Sequence, residues 1–163
     1  MAGVSYGAAM ASCVARCVPF PVACVSFIGS HSPEAPFLDK VLARLVDVAA
    51  LRADGAHASD AATRAELRRW FKLFGVEIFT PRHAVTFVAI NGAHDHFIGR
   101  RTAAALCAAF RSDAVNARRH SAHTLKFKWI PGGHVSAFVA YRGDFVRAVH
   151  YALALHNNRC FEQ

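Results

Sequence analysis

From Val85 onward the chain runs strand, helix, strand, strand, helix, with Cys160-Phe161 as either a last short strand or a tail. That order predicts an α+β sandwich of the split-βαβ, ferredoxin-like type, with two helices on one sheet face. Two observations carry the expectation. The β-rich runs Leu125–Ile130 and His134–Tyr141 are split by Pro131-Gly132-Gly133, which reads as a hairpin turn. From Asp144 to about His156 the apolar spacing then changes from period two to period 3.6, which reads as a helix. The 163 residues are 54% hydrophobic and 18% charged, so the chain can bury a real core and is not a disordered protein. The expected organisation is an N-terminal extension over residues 1–82 packed on the sheet of a domain over residues 83–163.

In chain order, residues 1–18 are weakly patterned. The first 33 residues contain no Asp or Glu, and Arg16 is their only Arg or Lys. Such an acid-poor, Ala/Ser-rich N-terminus is similar in composition to an organelle presequence; a secretory signal is the other leader option, although the usual positive charge of its start is absent, and the alternative to both is that the segment belongs to the fold. Val22–Ile28 is a short β-prone run, entered after Pro19 and Pro21 and left at Gly29. Phe37, Leu38, Val41, Leu42, Leu45 and Val48 follow one helical face, with Asp39, Lys40, Arg44 and Asp47 opposite, so one helix is predicted from Ser32-Pro33-Glu34 to about Asp54-Gly55. Asp60 or Thr63 caps a second helix, with Glu66 placed as in a capping box and Gly75 as its stop. Val76–Thr80 and Ala84–Ile90 read as two strands of a second hairpin. A helix around Thr102–Phe110 and a basic loop complete the series. The octets starting at His83 and His134 share His, Phe, Val and Ala in one register, from a common burial demand or a duplication.

The residues of the two predicted central strands carry a family resemblance. Thr86-Phe87-Val88-Ala89-Ile90-Asn91 resembles the first-strand hexapeptide of the RNA recognition motif family, and His134-Val135-Ser136-Ala137-Phe138-Val139-Ala140-Tyr141 resembles its third-strand octapeptide. The resemblance covers about half of the chain. It departs from the pattern at His134 (a basic residue in the family), at Val135 (a glycine) and at Ser136 (an aromatic). The resemblance implies stacking of RNA bases on Phe87 and Phe138, beside His134 and Ser136. Phe87 is also read as a core residue covered by the N-terminal helices.

The net charge of +8 and pI near 9.8 favour an anionic partner. Arg111, Arg118, Arg119, Lys126 and Lys128 fall in a segment whose only acid is Asp113, and are expected to track a phosphate backbone or to form a solvated basic loop. The five cysteines form no paired framework and suit a reducing compartment. Cys107 sits in an Ala-rich helix and reads as packing. Cys13 and Cys17 lack partners in register for zinc, and His94-Asp95-His96 lacks further ligands at a supporting spacing. No catalytic residue, metal or cofactor is expected, and no run is long enough to span a membrane. The resulting expectation is a non-catalytic RNA-binding or structural component of a large ribonucleoprotein, such as a mitochondrial ribosome. The compartment is expected to be mitochondrial, or otherwise cytoplasmic or nuclear. The alternative is a degenerate recognition-motif subunit that docks only on other protein subunits.

Overall fold

A computed structural model describes residues 1–55, 57–81, 83–116 and 124–160. The elements in order are strand β1 (Ala2–Val4), helix α1 (Tyr6–Cys17), strand β2 (Val22–Phe27), helices α2 (Glu34–Leu38), α3 (Val48–Asp54) and α4 (Asp60–Lys72), strand β3 (Val85–Gly92), helix α5 (Arg100–Asn116), strand β4 (Thr124–Ile130), and helices α6 (His134–Ala140) and α7 (Arg142–Cys160). Short 3-10 turns occupy Val41–Leu45 and Val76–Ile78.

The four strands form one sheet in the order β1-β2-β3-β4, and every neighbouring pair is parallel. Parallel neighbours need long crossovers, normally helical. Helix α1, the segment α2 to α4, and α5 supply them in turn. The architecture is therefore α/β, which corrects the expected antiparallel ferredoxin-like sandwich. The sheet also takes β1 and β2 from residues 1–82, with Val22–Phe27 pairing residue for residue along Val85–Ile90.

The physical reason for the correction lies in burial. All eight residues of β3 and all six of β2 are buried. A strand covered on both faces reads as a continuous apolar run without alternation. One face packs Cys24, Phe87, Leu106 and Phe110 under α1 and α5; the other packs Val25, Phe27, Val88 and Ile90 under α6 and α7. Phe87 is fully buried and stacks on Phe110 with ring centroids 3.7 Å apart, so it is core and not a base platform. Beside this stack, Arg16 of α1 pairs with Asp113 of α5 at 2.8 Å, both nearly buried. Desolvation lowers the pKa of Arg16 and raises that of Asp113, and each partner opposes the other's shift.

Two expected strands are not strands. Val76–Ile78 is a 3-10 turn, so there is no hairpin with β3. His134–Ala140 is α6, so the Pro-Gly-Gly break ends β4 and starts a helix. The N–H of Gly133 donates to Ser136 Oγ at 2.9 Å, a local bond that favours the helix start. The octet at His134 therefore shares neither conformation nor role with that at His83. Cys160 ends α7, and Phe161 lies outside the described residues. The single helix expected between Glu34 and Asp54 is interrupted: Asp47 accepts from Ala50 N–H at 3.0 Å and starts α3 afresh. Among the described residues, no helix is long and apolar enough to cross a membrane.

Two outcomes check this packing. Phe87→Ala is expected to cost about 3–5 kcal/mol in chemical denaturation, as for other buried aromatic truncations; a loss below ~1 kcal/mol would contradict its core position. Burial pushes the thiols of Cys13 and Cys107 up to about 11 and that of Cys24 up to about 12. Because the thiolate is the nucleophile, alkylation near neutral pH is expected to reach exposed Cys17 well before these three. Equal alkylation of all four, read by peptide mass mapping, would contradict the buried assignment.

Candidate active site

The carboxyl ends of β1, β3 and β4 lie along one edge of the parallel sheet, where open α/β sheets place their ligands. Each of these ends delivers one polar side chain to a common point. Ser5 follows β1, Asp95 lies in the loop after β3, and His134 begins α6 after β4.

Ser5 sits in a sharp strand-to-helix turn with φ 55° and ψ −120°, a conformation that a non-glycine residue adopts only at a cost of about 1–3 kcal/mol. Its own N–H donates to Phe27 carbonyl at 2.9 Å and its carbonyl accepts from Ala8 N–H at 3.0 Å, which ties the turn to β2 and α1. The flanking sequence is Gly3-Val4-Ser5-Tyr6-Gly7. A Cβ on Gly3 would run into the Gly7 carbonyl and lie 2.7 Å from Ala8 N, so glycine is required where strand and helix approach. Space is open at Gly7: beyond its chain neighbours and its own helix backbone, no heavy atom lies within 4 Å of a Cβ built there.

His134 bridges the other two side chains. Ser5 Oγ lies 2.7 Å from His134 Nε2, and His134 Nδ1 lies 2.8 Å from Asp95 Oδ2. With Nδ1–H donating to the carboxylate, Nε2 is the acceptor for the Ser5 hydroxyl proton. The side chain of Asp95 is 4% exposed and that of His134 is 15% exposed. The other carboxylate oxygen of Asp95 accepts from Phe97 N–H at 2.8 Å and Ile98 N–H at 3.0 Å, which fixes its direction. Backbone bonds hold the two loops together: Ala93 N–H donates to Ile130 carbonyl at 2.8 Å and His94 N–H to Gly132 carbonyl at 3.1 Å. Gly132 has φ 102°, a conformation glycine reaches without strain. The ring of Phe97 stacks against His134 with centroids 5.2 Å apart.

The N–H of Tyr6 opens α1 and belongs to the first turn, whose donors have no acceptor within the helix. It lies next to the serine at the positive end of a 12-residue helix, a setting that favours negative charge. A hydroxyl, an imidazole that takes its proton, a buried carboxylate that orients the imidazole, and a backbone donor together can perform nucleophilic acyl transfer.

The G-x-S-x-G turn and the chain order Ser5, Asp95, His134 are those of the α/β-hydrolase fold. Among solved structures, the chain is similar to acylaminoacyl peptidase from Pyrococcus horikoshii, with TM-score 0.59 and 9% identity over 85% of this chain and 20% of that one. It is also similar to 2,6-dihydroxy-pseudo-oxynicotine hydrolase, with TM-score 0.51 and 15% identity over 93% of this chain and 38% of that one. At these identities the likeness is one of fold, and the chain spans about a fifth of the length of the peptidase. No family model and no curated protein sequence matches the chain.

These findings overturn the resemblance to RNA recognition motifs and the expectation of a non-catalytic RNA-binding or ribosomal component. Of the residues expected to bind RNA, His134 is the imidazole of the site. Ser136 caps its helix, and Phe138 is 43% exposed on α6 with its ring 6.2 Å from Phe27. Arg111 lies over the Phe127 ring at 4.7 Å, while Lys126 is exposed on β4 and Lys128 pairs with Asp144 at 2.9 Å. Arg118 and Arg119 fall outside the described residues. In His94-Asp95-His96 only the carboxylate takes part, through His134. Ser5 and Asp95 were not expected as site residues. The glycine spacing around Ser5 is the signal that could have found the serine, and a strand of only three residues hid its context.

The two glycines of the turn differ in what they tolerate. Gly3→Ala is expected to destabilise the chain by roughly 1–3 kcal/mol, as overpacking does, while Gly7→Ala is expected to leave its stability unchanged or raised. Denaturation midpoints of the two variants check this, and equal effects would contradict the geometry of the turn.

Proposed function

We propose that the chain carries the nucleophile, base and orienting carboxylate of a serine hydrolase acting on carboxylic esters or related acyl compounds. The observation that carries this reading is the Ser5–His134–Asp95 chain of contacts at 2.7 and 2.8 Å, assembled from three separate loops. The fold likeness to two hydrolases supports it.

Ser5 Oγ attacks the acyl carbon as its proton passes to His134 Nε2. Asp95 stabilises the imidazolium by accepting from Nδ1–H and remains ionised. Tyr6 N–H donates to the oxyanion that forms on the carbonyl oxygen. Collapse of the tetrahedral intermediate expels the leaving alcohol, which takes the proton back from His134, and leaves an ester on Ser5. Water then attacks this acyl group, giving its proton to His134, and release of the acid restores the Ser5 hydroxyl. No metal is required by these steps.

The test is hydrolysis of p-nitrophenyl acetate by the chain. Ser5→Ala and His134→Ala are expected to remove turnover to near background, and Asp95→Asn to reduce kcat by about 10⁴-fold through loss of the correct tautomer. Turnover that survives Ser5→Ala would overturn the reading.

A further inference from the structure

An apolar cavity has the residue that follows the nucleophile, Tyr6, in its wall. It has a volume of about 240 Å³ and is lined by Tyr6, Pro33, Phe37, Phe71 and Phe74. Tyr6 directly follows Ser5, so one wall begins a single peptide unit from the serine, with Cα atoms about 3.8 Å apart. The remaining walls come from the excursion between β2 and β3. Phe37 lies on α2, Phe71 on α4, and Phe74 just beyond α4.

That excursion is held in place by named contacts. The rings of Phe37 and Phe71 stack with centroids 5.8 Å apart, and Arg68 of α4 reaches Asp39 at 2.6 Å and Glu34 at 3.4 Å. Cys13 Sγ donates to the Phe74 carbonyl at 3.7 Å, which fixes the end of α4 against α1. The lining carries four aromatic rings and a proline and no charged side chain. Tyr6 and Phe74 nevertheless remain 56% and 49% exposed. Apolar cavities of roughly 150 Å³ hold a benzene molecule, so this one has room for a phenyl group or a medium-length aliphatic chain.

We propose that this cavity is the seat of the uncharged apolar acyl group of the substrate, so that the chain prefers esters of medium-chain or arylalkyl acids over acetyl and anionic acyl esters. The proposal rests on the serine-hydrolase reading. When an acyl carbonyl sits at Ser5 Oγ, the substituent attached to it extends past Tyr6 into this cavity. Burial of that substituent against the aromatic rings is made before and during acyl transfer.

The test is kcat/KM of the chain on p-nitrophenyl acetate, butyrate, hexanoate, octanoate, phenylacetate and monosuccinate. The ratio to acetate is expected to rise about fourfold for each methylene buried, to level off once the cavity is filled, and to be lowest for the succinate. Phe74→Trp adds volume at an exposed wall and is expected to lower the octanoate-to-acetate ratio at least tenfold. Phe37→Leu enlarges the cavity and is expected to move the optimum to longer chains. Ser5-dependent turnover that is flat with chain length, that favours the succinate, or whose chain-length ratio is unmoved by both variants overturns the cavity assignment and leaves the hydrolase reading standing. Absence of Ser5-dependent turnover on every ester overturns both.

Discussion

The parallel hydrogen-bonded ladder of β2, β3 and β4 is the constraint on which the rest of the structure depends. Because the strands run the same way, their carboxyl ends meet at one edge, and the loops leaving them converge there. β3 is the keystone: buried along all its length, it pairs with β2 on one side and β4 on the other. Its register sets how far Asp95 stands from His134, since Gly92 is paired with Ile130 at the last rung before both loops depart. An antiparallel arrangement would send one of these loops to the opposite edge, and no contact between carboxylate and imidazole could form.

On this frame the site concentrates strain and burial. Among the described residues, the non-glycine residues with positive φ are Ser5 and Ile28, and both occupy turns at the carboxyl ends of strands. Such strain persists where surrounding structure over-determines the conformation. Here the bonds from Ser5 to Phe27 and from Ile28 N–H to Ile90 carbonyl at 2.7 Å supply that restraint. Asp95 is a buried acid, and a buried carboxylate needs donors to remain charged. Two backbone N–H groups and His134 provide them. The same bonds that stabilise the loop therefore pre-orient the imidazole.

The sequence made most individual elements legible and hid their arrangement. Val22–Phe27, β3, β4, α4, α5 and α7 all follow from periodicity and capping signals, although Ser59 rather than Asp60 or Thr63 caps α4. What failed was the inference from order to topology. β-rich composition at Val76–Ile78 and His134–Ala140 suggested strands, and two false hairpins turned a parallel sheet into an antiparallel one. In α6 the β-branched Val135 and Val139 are 65% and 62% exposed and bury nothing that would favour a strand. In the acid-poor start of the chain, half of α1 and all of β2 are buried, and buried segments exclude carboxylates. The sequence marks His134 without its partners. Its partners stand 129 and 39 residues away, and only the fold brings them within hydrogen-bond reach.

The central claim is that Ser5 is a nucleophile activated by His134, and covalent trapping tests it most directly. The chain is treated with a stoichiometric alkyl fluorophosphonate, followed by intact-mass measurement and peptide mapping. A single phosphonyl group on Ser5, absent in Ser5→Ala and formed orders of magnitude more slowly in His134→Ala, is the predicted result. An unmodified chain, or a phosphonyl group carried by any other residue, would contradict it.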